Sequence, residues 1–239
     1  MPAEQEITYS ADGVEMRGTL ATPDGGARGP AVLVAHEAPG LGDHCRDRAR
    51  RLADLGYVAF ALDAWGGAQT LPMDQIQPRL MAWVADPSGL HARTHAALDV
   101  LTAQPGVDPG RVAAIGHCFG AFAVLELART GADVAAVVGF HPGLPIARPE
   151  QARRIKGKVL MCVGAQDPLL PPEQRAAFEA EMIAAGVDWR MNLYGLAEHS
   201  FTNPLAATVN IPGIVYHAET DRRSWRAMLD LFAETIGVP

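Results

Sequence analysis

Apolar residues in this chain fall into short unbroken runs, separated by longer stretches in which they recur every three or four positions. Residues 31–35 contain no polar side chain at all, the pattern of a strand covered on both faces. The runs at 57–62, 112–115, 134–140 and 158–163 read the same way, whereas 188–194 alternates apolar with polar and predicts a half-buried strand. Near the start, 6–9 and 14–21 flank Asp12-Gly13, a dipeptide that favours tight hairpin turns, and 23–30 is a polar, glycine-rich loop. Helical spacing appears at 43–55, where Cys45, Ala49, Leu52 and Leu55 form one stripe ended by Gly56. It returns in Leu90, Thr94, Ala97, Leu98 and Leu101, then at 119–129, at 173–185 with Gly186 as the stop, and at 218–236. Between 69 and 87 the pattern is weak and broken by Pro72, Pro78 and Pro87, so only a short helix at 79–84 is expected. Strands alternating with helices predict an α/β fold, a doubly wound, mostly parallel sheet with helices on both faces. With no internal repeat or linker, residues 1–239 read as a single domain.

Composition narrows this picture. The chain has 239 residues, 49% of them hydrophobic, enough for a full core. A net charge of −7 without any Lys/Arg run argues against nucleic acid as a partner. The N-terminal residues lack a basic and then apolar leader, and no apolar run approaches the ~18 residues of a membrane helix, so a cytoplasmic protein without membrane partners is expected. Cys45, Cys118 and Cys162 are too far apart and too few for a disulfide framework or a zinc site. His91 and His95 are spaced i, i+4, but a third ligand is lacking, so neither metal nor cofactor is expected.

Candidate chemistry collects at the ends of the strands, where ligands bind in open α/β sheets. Glu37, Asp63, Cys118, His141, Asp167 and His199 each follow a predicted strand. Cys118 sits in Gly116-His117-Cys118-Phe119-Gly120, between a strand and a helix. This has the spacing of the nucleophile elbow of α/β-hydrolases, with cysteine in place of serine. The flanking glycines suit it, because a strand turning at once into a helix leaves no room for side chains two residues either side. A thiol at a helix N-terminus is favoured as thiolate by the positive end of the helix dipole. The bland alternative is a tight turn holding an inert cysteine. Thiol catalysis also needs a base and a group to orient it. Cys118, Asp167 and His199 occur in the nucleophile–acid–histidine order of the α/β-hydrolase fold. The alternatives are an Asp167-Pro168 turn and a loop histidine without a role. An oxyanion hole would use the backbone N–H groups of Phe119 and Ala38; Pro39 has none. His36, His44, His91, His95 and His217 read as surface or packing residues, Cys45 as core, and Cys162 as buried within a strand.

Taken together, these segments resemble the dienelactone hydrolase family. The matching residues are His36-Glu37-Ala38-Pro39-Gly40, the stretch from Gly56 through Asp63 to Gly66-Gly67, Gly116 to Ala121, Gly164-Ala165-Gln166-Asp167 and His199-Ser200-Phe201, in the family's order over residues 30–201. The resemblance implies Cys118 as nucleophile, His199 as base and Asp167 as orienting acid. It further implies that Glu37 contacts the resting thiol and takes part in forming the thiolate. Family members that cleave dienelactone carry an arginine four residues after the histidine; here that residue is Asn203. Arg79 is the nearest candidate for a second family arginine. Without a bidentate carboxylate clamp, dienelactone itself is a doubtful substrate. Trp65, His141, Asn203, Arg79 and Tyr194 are candidates for the pocket. The expected function is hydrolysis of a small ester or lactone, by a monomer or small homo-oligomer. The alternative is a non-catalytic ligand-binding or thiol-sensing protein on the same scaffold.

Overall fold

The unbroken apolar runs form the middle of one sheet. In the computed structural model, which describes residues 2–26 and 29–239, β1 (Ala3–Ala11) and β2 (Val14–Thr22) make the hairpin around Asp12-Gly13. The remaining strands are β3 (Gly29–Ala35), β4 (Val58–Ala61), β5 (Val107–His117), β6 (Ala136–Phe140), β7 (Lys158–Gly164) and β8 (Trp189–Tyr194). They lie in the order β1-β2-β4-β3-β5-β6-β7-β8, parallel from β4 to β8. β3 shows why its sequence has no polar position. Ala31, Leu33 and Ala35 enter one core and Val32 and Val34 the other, so both faces are buried. The expected 23–30 loop lies partly outside the described residues.

Helix α1 (Asp43–Asp54) and the last helix, α8 (Ala218–Thr235), cover one face through Cys45, Ala49, Leu52, Trp225, Met228 and Phe232. The other face carries α3 (Ser88–Thr102), α4 (Phe119–Arg129) and α6 (Pro172–Ala185), which contribute Leu90, Leu101, Phe122 and Phe178. α6 ends at Gly186 in the left-handed conformation (φ 71°), which glycine adopts at least cost.

Several boundaries differ from expectation. α2 spans Met73–Ala85, much longer than 79–84, and none of its residues is buried. Ile76, Leu80, Trp83 and Val84 pack against the core only in part, and Pro78 falls within the helix. β5 starts at Val107 instead of 112, through Pro109 and Gly110, and β6 starts at Ala136 instead of 134. Two four-residue helices, α5 (Pro149–Ala152) and α7 (Ala206–Val209), lie in stretches where the apolar pattern predicts no element. No described helix is long and apolar enough to cross a membrane.

Candidate active site

The parallel strands deliver their chemistry to one edge. Glu37 follows β3, Cys118 follows β5, His141 follows β6, Asp167 follows β7 and His199 lies in the loop after β8. Cys118 stands between strand and helix at φ 54°, ψ −114°, a conformation costly for any residue but glycine and held here by its surroundings. The glycines permit it. A Cβ on Gly116 would lie 2.0 Å from the Gly120 carbonyl oxygen, and one on Gly120 would lie 2.3 Å from the Ala35 carbonyl oxygen. Cys118 N–H donates to the Phe140 carbonyl (3.0 Å), carrying the β5–β6 ladder into the turn.

His199 Nδ1 lies 2.8 Å from Asp167 Oδ2, and both side chains are buried. The His199 backbone is pinned to the loop after α7: its N–H donates to Gly213 O (3.0 Å) and its carbonyl accepts from Val215 N–H (2.9 Å). Nε2 has no hydrogen bond of ordinary geometry, yet the thiol governs its electrostatics. Burial opposes the charged ring, but the Cys118 charge, then the Asp167 hydrogen bond, outweigh it and raise the pKa to about 10. Cys118 and His199 share a cleft of about 270 Å³ with Leu80, Met81 and Val84 of α2, Phe119 and Phe122 of α4, and Leu169. No Asp, Glu, Lys or Arg lines it among the described residues.

Glu37 is placed differently from expectation. Its Oε2 accepts from Asn203 Nδ2 (2.7 Å) and lies 3.3 Å from His44 Nδ1, while Oε1 has no hydrogen bond, so none joins the carboxylate to the thiol. Asn203 is thus a tether for Glu37, not a wall of the cleft. The other pocket candidates also lie elsewhere. Arg79 and Trp65 border a separate 160 Å³ hollow with Trp83 and Arg93, because α2 turns Leu80, Met81 and Val84 toward the thiol instead. Trp65 is only 3% exposed and packs on both Trp83 (4.3 Å) and Phe119 (5.0 Å), which also touch each other (5.5 Å). His141 is fully buried, with its ring 5.1 Å from that of His199. Tyr194 packs on Phe201, away from the cleft. Asp63 binds the backbone N–H groups of Arg17, Trp65, Gly66 and Ala68, and so organises a turn.

The histidines read as surface or packing divide. His91 meets Glu126 and His95 meets Thr130, while His217 caps α8 by accepting from Thr220 N–H. His36 and His44 are buried. His44 touches His117 (ring centroids 4.7 Å), and the Thr202 hydroxyl bridges His117 Nδ1 (3.0 Å) and His141 Nε2 (2.7 Å). Burial pushes both His117 and His141 well below the ordinary histidine range, so these two rings behind the base are neutral. Arg48, 1% exposed, donates to the Thr202 carbonyl and pairs with Asp221 of α8 at 3.0 Å. No sequence periodicity links positions so far apart; only the placement of His117 and His141 at strand ends hinted at them.

This geometry agrees with the comparisons. The model of the dienelactone hydrolase family matches residues 16–236. The chain belongs to the dienelactone hydrolase family. Among solved structures, that named m3DLH is 45% identical, with a TM-score of 0.95, covering 98% of this chain and 99% of its own. A dienelactone hydrolase-like promiscuous phosphotriesterase, P91 from metagenomic libraries, is 43% identical with a TM-score of 0.95, covering 99% of both chains. A putative carboxymethylenebutenolidase of Yersinia pestis is 26% identical over 242 residues, 96% of this chain and 87% of its own. As a member of the dienelactone hydrolase family, with the α/β-hydrolase fold, the protein is a hydrolase, and ester or lactone hydrolysis is the family's reaction.

Proposed function

We propose that this single-domain protein hydrolyses small, uncharged esters or lactones through an acyl-thioester on Cys118. The observation that carries this reading is the strained Cys118 elbow opening into the same cleft as His199, which Asp167 holds at 2.8 Å. The Cys118 thiolate, paired with the His199 imidazolium, attacks the carbonyl carbon. The carbonyl electrons move onto oxygen, where the N–H groups of Ala38 and Phe119 stabilise the charge. When the intermediate collapses, the C–O bond to the leaving alcohol breaks and His199 supplies that alcohol its proton. Neutral His199 then takes a proton from water, whose oxygen attacks the thioester, and the carboxylic acid departs as the thiolate is restored. Asp167 keeps the ring oriented through both steps. Glu37, tethered by Asn203, is a carboxylate beside the site and held off the sulfur.

The apolar lining sets the substrate class. A carboxylated substrate would bury its charge without a cationic partner there, which is unfavourable. The same lining favours a second reading, cleavage of neutral phosphotriesters, in keeping with the name of the relative P91. The test is turnover of p-nitrophenyl acetate, a lactone, a carboxylated ester and a phosphotriester by wild type, Cys118→Ala and His199→Ala. Wild type is expected to prefer the uncharged compounds and both variants to lose ~10³-fold or more in kcat. Equal rates in all three proteins would refute the assignment.

A further inference from the structure

His36 directly precedes the Glu37-Ala38-Pro39-Gly40 turn and is completely buried, yet both its ring nitrogens are engaged. Nε2 lies 3.1 Å from the Ala64 backbone nitrogen, which can only donate, so Nε2 is the bare, accepting nitrogen. Nδ1 therefore carries the proton and donates it to the Glu37 carbonyl at 2.6 Å. Burial holds the ring below the ordinary histidine range despite that bond to Glu37, which preserves the neutral form. The Glu37 carbonyl also accepts from Gly40 N–H at 3.1 Å.

The Glu37 carbonyl and the Ala38 N–H belong to one peptide unit. No peptide in the described chain is cis, so in a planar trans unit the two groups point in opposite directions. Fixing the carbonyl on His36 thus fixes where the Ala38 N–H points. The carbonyl of the next unit, that of Ala38, accepts from Trp65 Nε1 at 2.9 Å, so the adjoining Ala38–Pro39 peptide is anchored as well. Among the described residues no hydrogen bond takes the Ala38 N–H itself. The His36 ring also packs against that of Phe119, the second donor residue, with centroids 5.7 Å apart.

We propose that His36 is a positioning residue for the oxyanion hole: its Nδ1–H clamps the Glu37–Ala38 peptide so that the Ala38 N–H is presented to the developing oxyanion. This rests on the acyl-transfer reading above. Preorganised donors contribute through placement, so misdirecting one lowers kcat while leaving ground-state binding largely intact.

The experiment compares wild type, His36→Phe, His36→Asn and Cys118→Ala in p-nitrophenyl acetate hydrolysis and in alkylation by iodoacetamide. Alkylation uses the thiolate but forms no oxyanion, so it reports elbow integrity alone. His36→Phe is expected to lose about 10- to 100-fold in kcat, with KM and the alkylation rate within about twofold of wild type. Asparagine can place an amide N–H near the position of Nδ1, so His36→Asn is expected to recover most of the loss. Wild-type kcat in His36→Phe, or parallel loss of turnover and alkylation, overturns the proposal. Should His36→Phe not fold, His36→Asn decides: an unrescued kcat with normal alkylation overturns the clamp. Full turnover by Cys118→Ala removes the acyl-transfer reading and the clamp together, whereas an inactive Cys118→Ala beside a fully active His36→Phe removes the clamp alone.

Discussion

At single positions, the site depends on backbone that tolerates no change and on one carboxylate behind one ring. Gly116→Ala would drive a Cβ to within 2.1 Å of the Gly120 carbonyl carbon, and helix backbone cannot yield as a side chain can. Urea unfolding should show a loss of ~3 kcal/mol or more; a loss below 1 kcal/mol would mean that the elbow is not so tightly closed. The Asp167–His199 bond should leave a signature in pH. It helps raise the folded-state pKa of His199 to about 10, against ~6.5 in the unfolded chain. A raised histidine stabilises fully below the unfolded value and loses that contribution as pH climbs through the folded one. The gap in urea midpoint between wild type and Asp167→Asn should therefore be widest near pH 6 and narrow toward pH 10. A gap that widens with pH would contradict the assignment. The grouping of Cys118, Asp167 and His199 was legible in the sequence because each follows a strand that the apolar pattern reveals. The bonds of His36 and the tethering of Glu37 by Asn203 were not, since they depend on how two loops from different strands meet.

Among the elements, α2 stands apart. It supplies Leu80, Met81 and Val84 to the cleft yet buries none of its residues, so its attachment rests on few contacts. One of them is polar: Arg148 donates to the Val84 carbonyl (2.8 Å) and pairs with Glu126, a buried carboxylate of α4, at 2.6 Å. Arg148→Ala leaves Glu126 with Arg129 and His91 as partners while α2 loses its tie. Amide exchange in 73–85 should accelerate by about tenfold while α4 stays protected. Unchanged exchange in α2 would show that apolar contact alone secures it. The same lack of buried residues explains why the sequence understated this helix. Periodicity reports a face pressed against a core, and the face of α2 that reaches it, Ile76, Leu80, Trp83 and Val84, is only partly buried.

Across the whole molecule, the fold was legible because both faces of the sheet are covered, which writes the central strands as apolar runs. The ties between distant segments were not. Arg48 joins α1, the loop after β8 and α8 through Thr202 and Asp221, residues separated from it by more than 150 positions. Arg48→Met would leave Asp221 a nearly buried charge without its partner, and should lower stability by about 3 kcal/mol or more in urea. A change under 1 kcal/mol would mean that water compensates the carboxylate. The distribution of sulfur across the fold has a practical consequence. Cys45 and Cys162 are fully enclosed, and burial pushes their thiols up, that of Cys162 to about 12, while Cys118 alone is partly open. The folded chain is therefore a built-in single-hit titrant. One equivalent of a thiol label counts competent sites in any preparation, and the second and third equivalents, taken up only as the sheet comes apart, count unfolded chains in the same tube.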